Sequence, residues 1–333
     1  MKQTIWKRIL PAAMAAVLLF AAGCGKSPAK DSAEEASAQE PVAIGAEPQT
    51  DASTVDHSSL YTVDSTTETS DNESYASDTA DVNAILVERM GILTMTSADI
   101  NKSGDATGDY TTGSNAAAAV ISKGQLTLNQ SNITTNGLGA AGLAVSGEGT
   151  QLAATDTSVY SSGASSPAIL MREDASAVIT GGTLSTEGAD SPCILLLGGR
   201  LTLSGVTLSS KSGDVLRIDA GANFMTLDNT NVSAMSSFAE EASLELRLSN
   251  GASFTGALGG LLPARASVYL DAASKLVLTG ETYLSVLVNA DLTHANIESN
   301  GFNLYYDSNA AENAYLNSQS YMLPGGGFLS PII

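Results

Sequence analysis

The sequence is poor in the residues that several common classes of protein require. Two cysteines in 333 residues cannot build a disulfide framework. Acidic residues number 35 against 15 basic ones, and a net charge of −20 argues against non-specific binding of nucleic acid. Only 5% of residues are aromatic, and the single Trp is Trp6, near the N-terminus. The core is therefore expected to consist mainly of Ala, Leu, Val and Ile.

The one long apolar run lies at the N-terminus. It spans residues 12–22, follows a cationic start, and is shorter than the roughly 20 residues that a membrane-spanning helix needs. This pattern predicts a secretory signal at residues 1–23. The four residues Ala-Ala-Gly-Cys that end at Cys24 resemble the lipobox of bacterial lipoproteins, which implies lipidation of Cys24 and anchoring on the outer face of the cell membrane. A signal-peptidase site beside an incidental Cys is the alternative.

A polar segment separates this signal from the rest of the chain. Residues 25–81 contain 13 acidic and two basic residues and few large apolar ones. Such a composition does not bury enough surface to offset the entropy lost on ordering, so residues 24–81 are predicted to be a disordered acidic linker. A flexible tether of this length spans on the order of 40 Å. It would hold a folded domain at residues 82–333 clear of the membrane.

The remaining sequence carries an internal repeat of pairs of apolar residues that flank one outward residue. The second members of these pairs are 33, 26, 25, 24, 24, 27 and 24 residues apart. The pairs are Leu93/Met95, Leu126/Leu128, Leu152/Ala154, Ala177/Ile179, Leu201/Leu203, Met225/Leu227, Ala252/Phe254 and Leu276/Leu278. Most units contain two further short apolar segments, including residues 116–121, 244–248 and 268–270. Three short period-2 strands per unit leave no room for amphipathic helices.

This repeat predicts an all-β fold, a parallel β-helix solenoid of about eight coils with a C-terminal cap from about residue 280. Each coil buries its aliphatic residues between its neighbours, so a monomer is expected. Residues 124–133 and 199–208 resemble repeats of the right-handed, single-stranded parallel β-helix superfamily, which includes pectate lyases, polygalacturonases and bacterial adhesins. They look most like adhesin-type β-helix lipoproteins. Because one fold hosts many functions, this resemblance implies a fold rather than an activity.

Catalytic and metal sites of that superfamily have no clear counterpart in this sequence. The hydrolases use a Gly-His-Gly and an Arg-Ile-Lys string, and neither occurs here. The two histidines, His57 and His294, lie in the linker and near the cap, so no His-centred triad is expected within the coils. Paired carboxylates such as Asp156 and Asp228 belong to distant coils. We expect no cofactor and no catalytic residue, although a weak, incidental calcium site and a polysaccharide lyase or hydrolase activity stay open as alternatives.

The residues that face outward between the apolar pairs form the candidate ligand surface. They are Thr94, Thr127, Ala153, Val178, Thr202, Thr226, Ser253 and Val277. We predict that the four threonines Thr94, Thr127, Thr202 and Thr226, together with Tyr160, bind a glycan or a matrix ligand. The alternatives are that Thr is simply a favourable surface residue in strands, or that the ladder binds ice, which Ala153 and Val178 would interrupt. The sequence thus favours a non-enzymatic, lipid-anchored adhesin or binding module.

Overall fold

The computed structural model describes residues 55–332 except 213–214, 235–236, 240–241 and 260–264. The predicted signal, Cys24 and the first part of the predicted linker lie outside the described residues. Within them the regular secondary structure is almost entirely β-strand, with two short 3-10 helices at Tyr110–Thr112 and Ala311–Leu316. No helix in this part of the chain is long and apolar enough to cross a lipid bilayer.

The strands follow one another as eight coils of three strands and then two coils of two. The first four coils contain β1 (Ser58–Asp64), β2 (Thr67–Asp71), β3 (Ser74–Ser77), β4 (Val82–Glu88), β5 (Ile92–Thr96), β6 (Asp99–Lys102), β7 (Ala116–Val120), β8 (Gln125–Asn129), β9 (Asn132–Thr135), β10 (Ala141–Ser146), β11 (Gln151–Thr155) and β12 (Ser158–Ser161). The next four contain β13 (Ile169–Arg172), β14 (Ser176–Thr180), β15 (Thr183–Thr186), β16 (Ile194–Leu197), β17 (Gly199–Ser204), β18 (Thr207–Ser210), β19 (Leu216–Ile218), β20 (Ala222–Asp228), β21 (Asn231–Ser233), β22 (Ser237–Phe238), β23 (Ser243–Ser249) and β24 (Ser253–Gly256). The chain ends with β25 (Ala266–Leu270), β26 (Lys275–Leu278), β27 (Thr282–Asn289), β28 (Ile297–Glu298), β29 (Leu304–Tyr306), β30 (Tyr321–Met322) and β31 (Phe328–Pro331).

Successive coils stack through parallel pairing into long sheets. The first strand of each three-stranded coil belongs to an 8-stranded sheet, sheet A, and the second to a 13-stranded sheet, sheet B. The third strands form a 6-stranded sheet, sheet C, and then a 4-stranded sheet, sheet D. The predicted parallel β-helix is therefore confirmed. The solenoid has about ten turns rather than the eight expected.

The core is a set of aliphatic columns that run along the solenoid. In sheet B, for example, Leu128, Ala154, Ile179, Leu203 and Leu227 occupy the same position in five successive rungs. All five side chains are buried. Burying a Leu or Ile side chain fully stabilises a fold by about 1.5–3 kcal/mol, so the repeated columns supply most of the cohesion between coils.

The folded domain begins at the first coil, so the prediction that the linker extends to residue 81 was wrong. The inward positions of this coil include Tyr61, Glu68, Ser70 and Tyr75, which gave the segment the composition of a linker. The two tyrosine rings lie 4.9 Å apart. The Tyr61 hydroxyl donates to Glu68, and the Ser70 and Tyr75 hydroxyl oxygens are 2.9 Å apart. Hydrogen bonds replace aliphatic contacts here, and the period-2 pattern of apolar residues is lost.

Two strands near the C-terminal end lie in a different sheet from the one that the repeat predicted. The repeat grouped residues 244–248 and 268–270 with residues 116–121, which contain β7 of sheet A, but β23 and β25 pair in sheet B. The pairs that contain Phe254 and Leu278 correspondingly lie on β24 and β26 in sheet D. The reason is that a period-2 apolar pattern shows which side of a strand is buried, not which face of the coil the strand occupies.

The outward side of sheet A is covered over its middle strands by the chain itself. Residues 103–115, the strap, fold over this side and account for the 33-residue spacing of the first repeat. Tyr110 packs against buried residues of sheet A that include Leu170, and the Arg172 guanidinium donates to the Thr111 carbonyl at 2.7 Å. Side chains on both sides of the sheet A strands β7 and β10 are therefore buried. In the sheet B strands β8 and β11, by contrast, buried side chains alternate with side chains that reach the surface.

The last coil and the cap also differ from the sequence prediction. The cap was expected from about residue 280, but β27 and β28 still form a coil that stacks on β25 and β26. The capping elements are instead β29, the second 3-10 helix and the antiparallel pair β30–β31. The buried Tyr306 lies among them, and its hydroxyl donates to the Gln319 carbonyl at 2.9 Å.

Candidate functional site

The predicted threonines share one column on the outer face of sheet B. The register places the following residues in successive rungs: Thr69, Thr94, Thr127, Ala153, Val178, Thr202, Thr226, Arg247, Tyr269 and Val288. The four predicted threonines are half-buried, and none of their hydroxyl groups hydrogen-bonds to another described residue. These hydroxyl groups are therefore available to solvent or to a ligand.

Tyr160, the fifth predicted residue, lies on a different face. It belongs to β12 in sheet C, where its neighbours in register are Thr134 and Ser185. Hydrogen bonding to Glu187 raises the pKa of the Tyr160 hydroxyl, and Glu187 also pairs with Lys211. The structure thus brings the four threonines into one column and does not bring Tyr160 to them.

The C-terminal half of the sheet B face carries guanidinium groups stacked on aromatic rings. The Arg247 guanidinium carbon lies 4.1 Å from the centre of the Tyr269 ring on the next rung. In the neighbouring column, the Arg200 guanidinium carbon lies 4.0 Å from the centre of the Phe224 ring. Attraction between a cation and the face of an aromatic ring is worth about 0.5–1 kcal/mol at an exposed site. These contacts hold both arginine side chains along the solenoid axis.

A pair of stacked tyrosines extends this surface toward the cap. Tyr283 on β27 and Tyr305 on β29 are partners in register, and their ring centres lie 4.9 Å apart with an angle of 16° between the planes. Partial desolvation raises the pKa of Tyr283. The Tyr305 hydroxyl accepts a hydrogen bond from the Asn303 side chain at 3.2 Å. Two phenol groups are therefore held rigidly at the edge of the same face.

We call these six residues the aromatic–arginine patch: Arg200, Phe224, Arg247, Tyr269, Tyr283 and Tyr305. The ligand surface predicted from the sequence contains none of these six residues. The two residues of each stacked pair are one coil apart in the sequence, as their pairing in register shows. The repeat that located the apolar pairs also aligns Arg200 with Phe224, because each directly precedes such a pair.

The carboxylates considered for glycosidase chemistry do not meet. Asp156 follows β11 and Asp228 ends β20, and these strands are three rungs apart. At about 4.8 Å per rung the separation is about 14 Å, which exceeds the roughly 9.5 Å upper limit for glycosidase carboxyl pairs. Among the described residues, no group of three or more His, Cys, Asp or Glu side chains is placed to hold a metal ion.

Comparison with known proteins adds no further constraint. No protein-family model, curated protein or solved structure matches this chain. The fold is a parallel β-solenoid, and a solenoid of this kind supports both binding and catalysis. The argument for function therefore rests on the side chains of the open sheet B face.

Proposed function

We propose that this protein is a non-enzymatic binding module, anchored to the outer face of the cell membrane through lipidated Cys24, whose sheet B face binds a carbohydrate. The observation that carries the proposal is the aromatic–arginine patch. Six side chains from six successive rungs of one open face supply four aromatic rings and two guanidinium groups. Tyr and Arg are the residues that recognition surfaces favour, because they offer large contact areas at low conformational cost.

The geometry suits a long polar ligand better than a small one. The patch lies on a long parallel sheet, and its rings and guanidinium groups are stacked along the solenoid axis. Half-buried Thr202 and Thr226 lie beside it and offer hydroxyl groups that have no partner among the described residues. A polysaccharide presents apolar ring faces and many hydroxyl groups, which match this combination.

The proposed anchor and linker would present this face at a distance from the membrane. A lipidated Cys24 is followed by at least 30 residues before the first described residue, Val55. Two acyl chains are enough for stable anchoring, since each buried methylene contributes about 0.8 kcal/mol.

A glycan array tests the proposal. The chain without its first 24 residues should bind at least one polysaccharide, and Tyr269→Ala or Tyr305→Ala should weaken that binding about tenfold or more. Tyr160→Ala is the matched control because it removes an exposed tyrosine from sheet C. If Tyr160→Ala abolished binding and the two patch variants did not, the proposed surface would be wrong. New reducing ends or unsaturated products would show an enzyme instead.

A further inference from the structure

We infer that Arg200, held on Phe224, forms a subsite for an anionic substituent, so that the ligand of the sheet B face is an acidic polysaccharide bearing carboxylate or sulfate groups. This inference rests on the proposed function, because it names the class of carbohydrate that the same face binds. Its starting point is an arginine whose charge the protein leaves uncompensated.

Arg200 differs from the other arginine of the patch in its partners. The Arg247 side chain donates from Nε to a Glu245 carboxylate oxygen at 2.7 Å, so its charge is largely neutralised. Arg200 forms no ion pair with any carboxylate of the described residues. Its guanidinium group instead contacts the Phe224 ring. This is notable in a chain with 35 acidic residues and a net charge of −20.

The stacking contact prepares the guanidinium group for an oxyanion. A guanidinium lying over a ring at 4.0 Å directs its N–H groups away from the ring, around its own edge. The N–H groups of Arg match the spacing of two oxygens of one carboxylate or sulfate, and they then donate two parallel hydrogen bonds. Because Phe224 already restricts the side chain, less conformational entropy is lost when the anion binds.

Neutral hydrogen-bonding groups flank this cation. Thr202 lies two residues along the same strand and on the same face, about 7 Å away, and Thr226 occupies the next rung beside Phe224. Both hydroxyl groups lack a partner among the described residues. The subsite therefore combines one uncompensated positive charge with two free hydroxyl groups, which suits an acidic sugar and its neighbouring hydroxyls.

The charge of the rest of the protein makes this position distinctive. Residues 55–88, which include the first coil, contain eight acidic residues and no Lys or Arg. Arg200 lies on the sixth of the 13 strands of sheet B, away from that end, so a polyanion is repelled less strongly beside Arg200 than at the first coil. Charge complementarity thus favours the neighbourhood of Arg200 over the first coil for an acidic ligand.

Three polymers with one backbone test the inference: dextran, carboxymethyl-dextran and dextran sulfate. Binding to each is measured by surface plasmon resonance with the chain lacking its first 24 residues. We expect both charged polymers, or one of them, to bind at least tenfold more tightly than dextran, with the difference shrinking as salt rises. The two charged arms distinguish carboxylate from sulfate recognition.

Variants assign the effect to Arg200. Arg200→Ala should lower affinity for the charged polymer roughly ten- to hundredfold, the loss expected for one hydrogen-bonded charged group, and should weaken dextran binding by a much smaller factor. Arg200→Lys should recover only part of it, because Lys keeps the charge but loses the planar pair of donors. Lys275→Ala is the matched control: it removes one positive charge from the exposed side of sheet D.

The possible results separate this inference from the proposed function. Neutral glycans that bind the array while charged polymers show no preference would overturn the acidic subsite and leave the binding module intact. A preference that Lys275→Ala reduces as much as Arg200→Ala would also overturn it, because the cause would then be net charge. Absence of binding to every glycan would overturn both.

Discussion

Replacing Leu203 by Ala tests the inward assignment that the whole fold depends on. Leu203 is fully buried between Ile179 and Leu227 of the adjacent rungs. Truncation of a buried Leu costs about 2–5 kcal/mol, the sum of lost transfer energy and the cavity that remains. We expect about 3 kcal/mol here, because the rungs on both sides are fixed by main-chain hydrogen bonds and cannot close the cavity.

The neighbouring residue provides an internal control. Thr202 is adjacent to Leu203 in the same strand but faces outward, and its hydroxyl has no partner among the described residues. Thr202→Ala should therefore change the free energy of unfolding by no more than about 0.5 kcal/mol. The two variants differ by one position in the sequence and should differ by at least about 1.5 kcal/mol in stability.

Urea unfolding followed by far-UV circular dichroism measures this difference. Tryptophan fluorescence does not serve, because the single Trp is Trp6, in the predicted signal. The midpoint should fall for Leu203→Ala and stay unchanged for Thr202→Ala, with similar slopes. An unchanged midpoint for Leu203→Ala, or a larger loss for Thr202→Ala, would refute the assignment of the two faces. Leu203→Asp should prevent folding, since an unpaired buried charge costs several kcal/mol.

Three further predictions concern the anchor, the last coil and the strap. Cys24→Ala should abolish labelling by a radioactive fatty acid and release the protein from membranes, and continued labelling would contradict the lipobox. Burial lowers the pKa of His294 below 6.5, so the unfolded chain binds more protons and stability should fall as pH drops through about 6.5. Unfolding curves of the chain and of His294→Gln should diverge in that range, and parallel curves would show that His294 does not contribute. Gly113 has φ of 78°, and an added Cβ would lie 2.9 Å from the Ala144 Cβ, so Gly113→Ala should cost about 1 kcal/mol or more and increase hydrogen exchange in the strap.

The repeat predicted the fold where the coil interior is aliphatic. From Leu93 to Leu227 the apolar pairs mark strands of sheet B, because each inward column is made of the same kinds of side chain. The first coil escaped prediction because hydrogen bonds among Tyr61, Glu68 and their neighbours fill its interior. The predicted start of the domain was wrong for this reason. The predicted start of the cap was wrong because the apolar pattern weakens toward the C-terminal end, and both errors lowered the predicted number of coils.

The candidate surface was only partly predictable. The column that contains Thr202 and Thr226 follows directly from the alternation of inward and outward residues. The repeat aligns Arg200 with Phe224, because each directly precedes a predicted apolar pair, but the stacking of the guanidinium group on the ring depends on side-chain conformations that the repeat does not determine. Tyr160 was grouped with the threonines because the sequence alone does not distinguish the face of sheet C from that of sheet B.

The polar interior of the first coil limits where coils can be added to or removed from this solenoid during evolution. A new aliphatic coil added before β1 would stack Leu or Val on Glu68 and Ser70, and their hydrogen-bonding groups would then be buried against hydrocarbon. Duplication of a repeat is tolerated between aliphatic coils, where both new neighbours are alike. Homologues of different length should therefore gain or lose coils in the middle of the chain and keep the first coil unchanged.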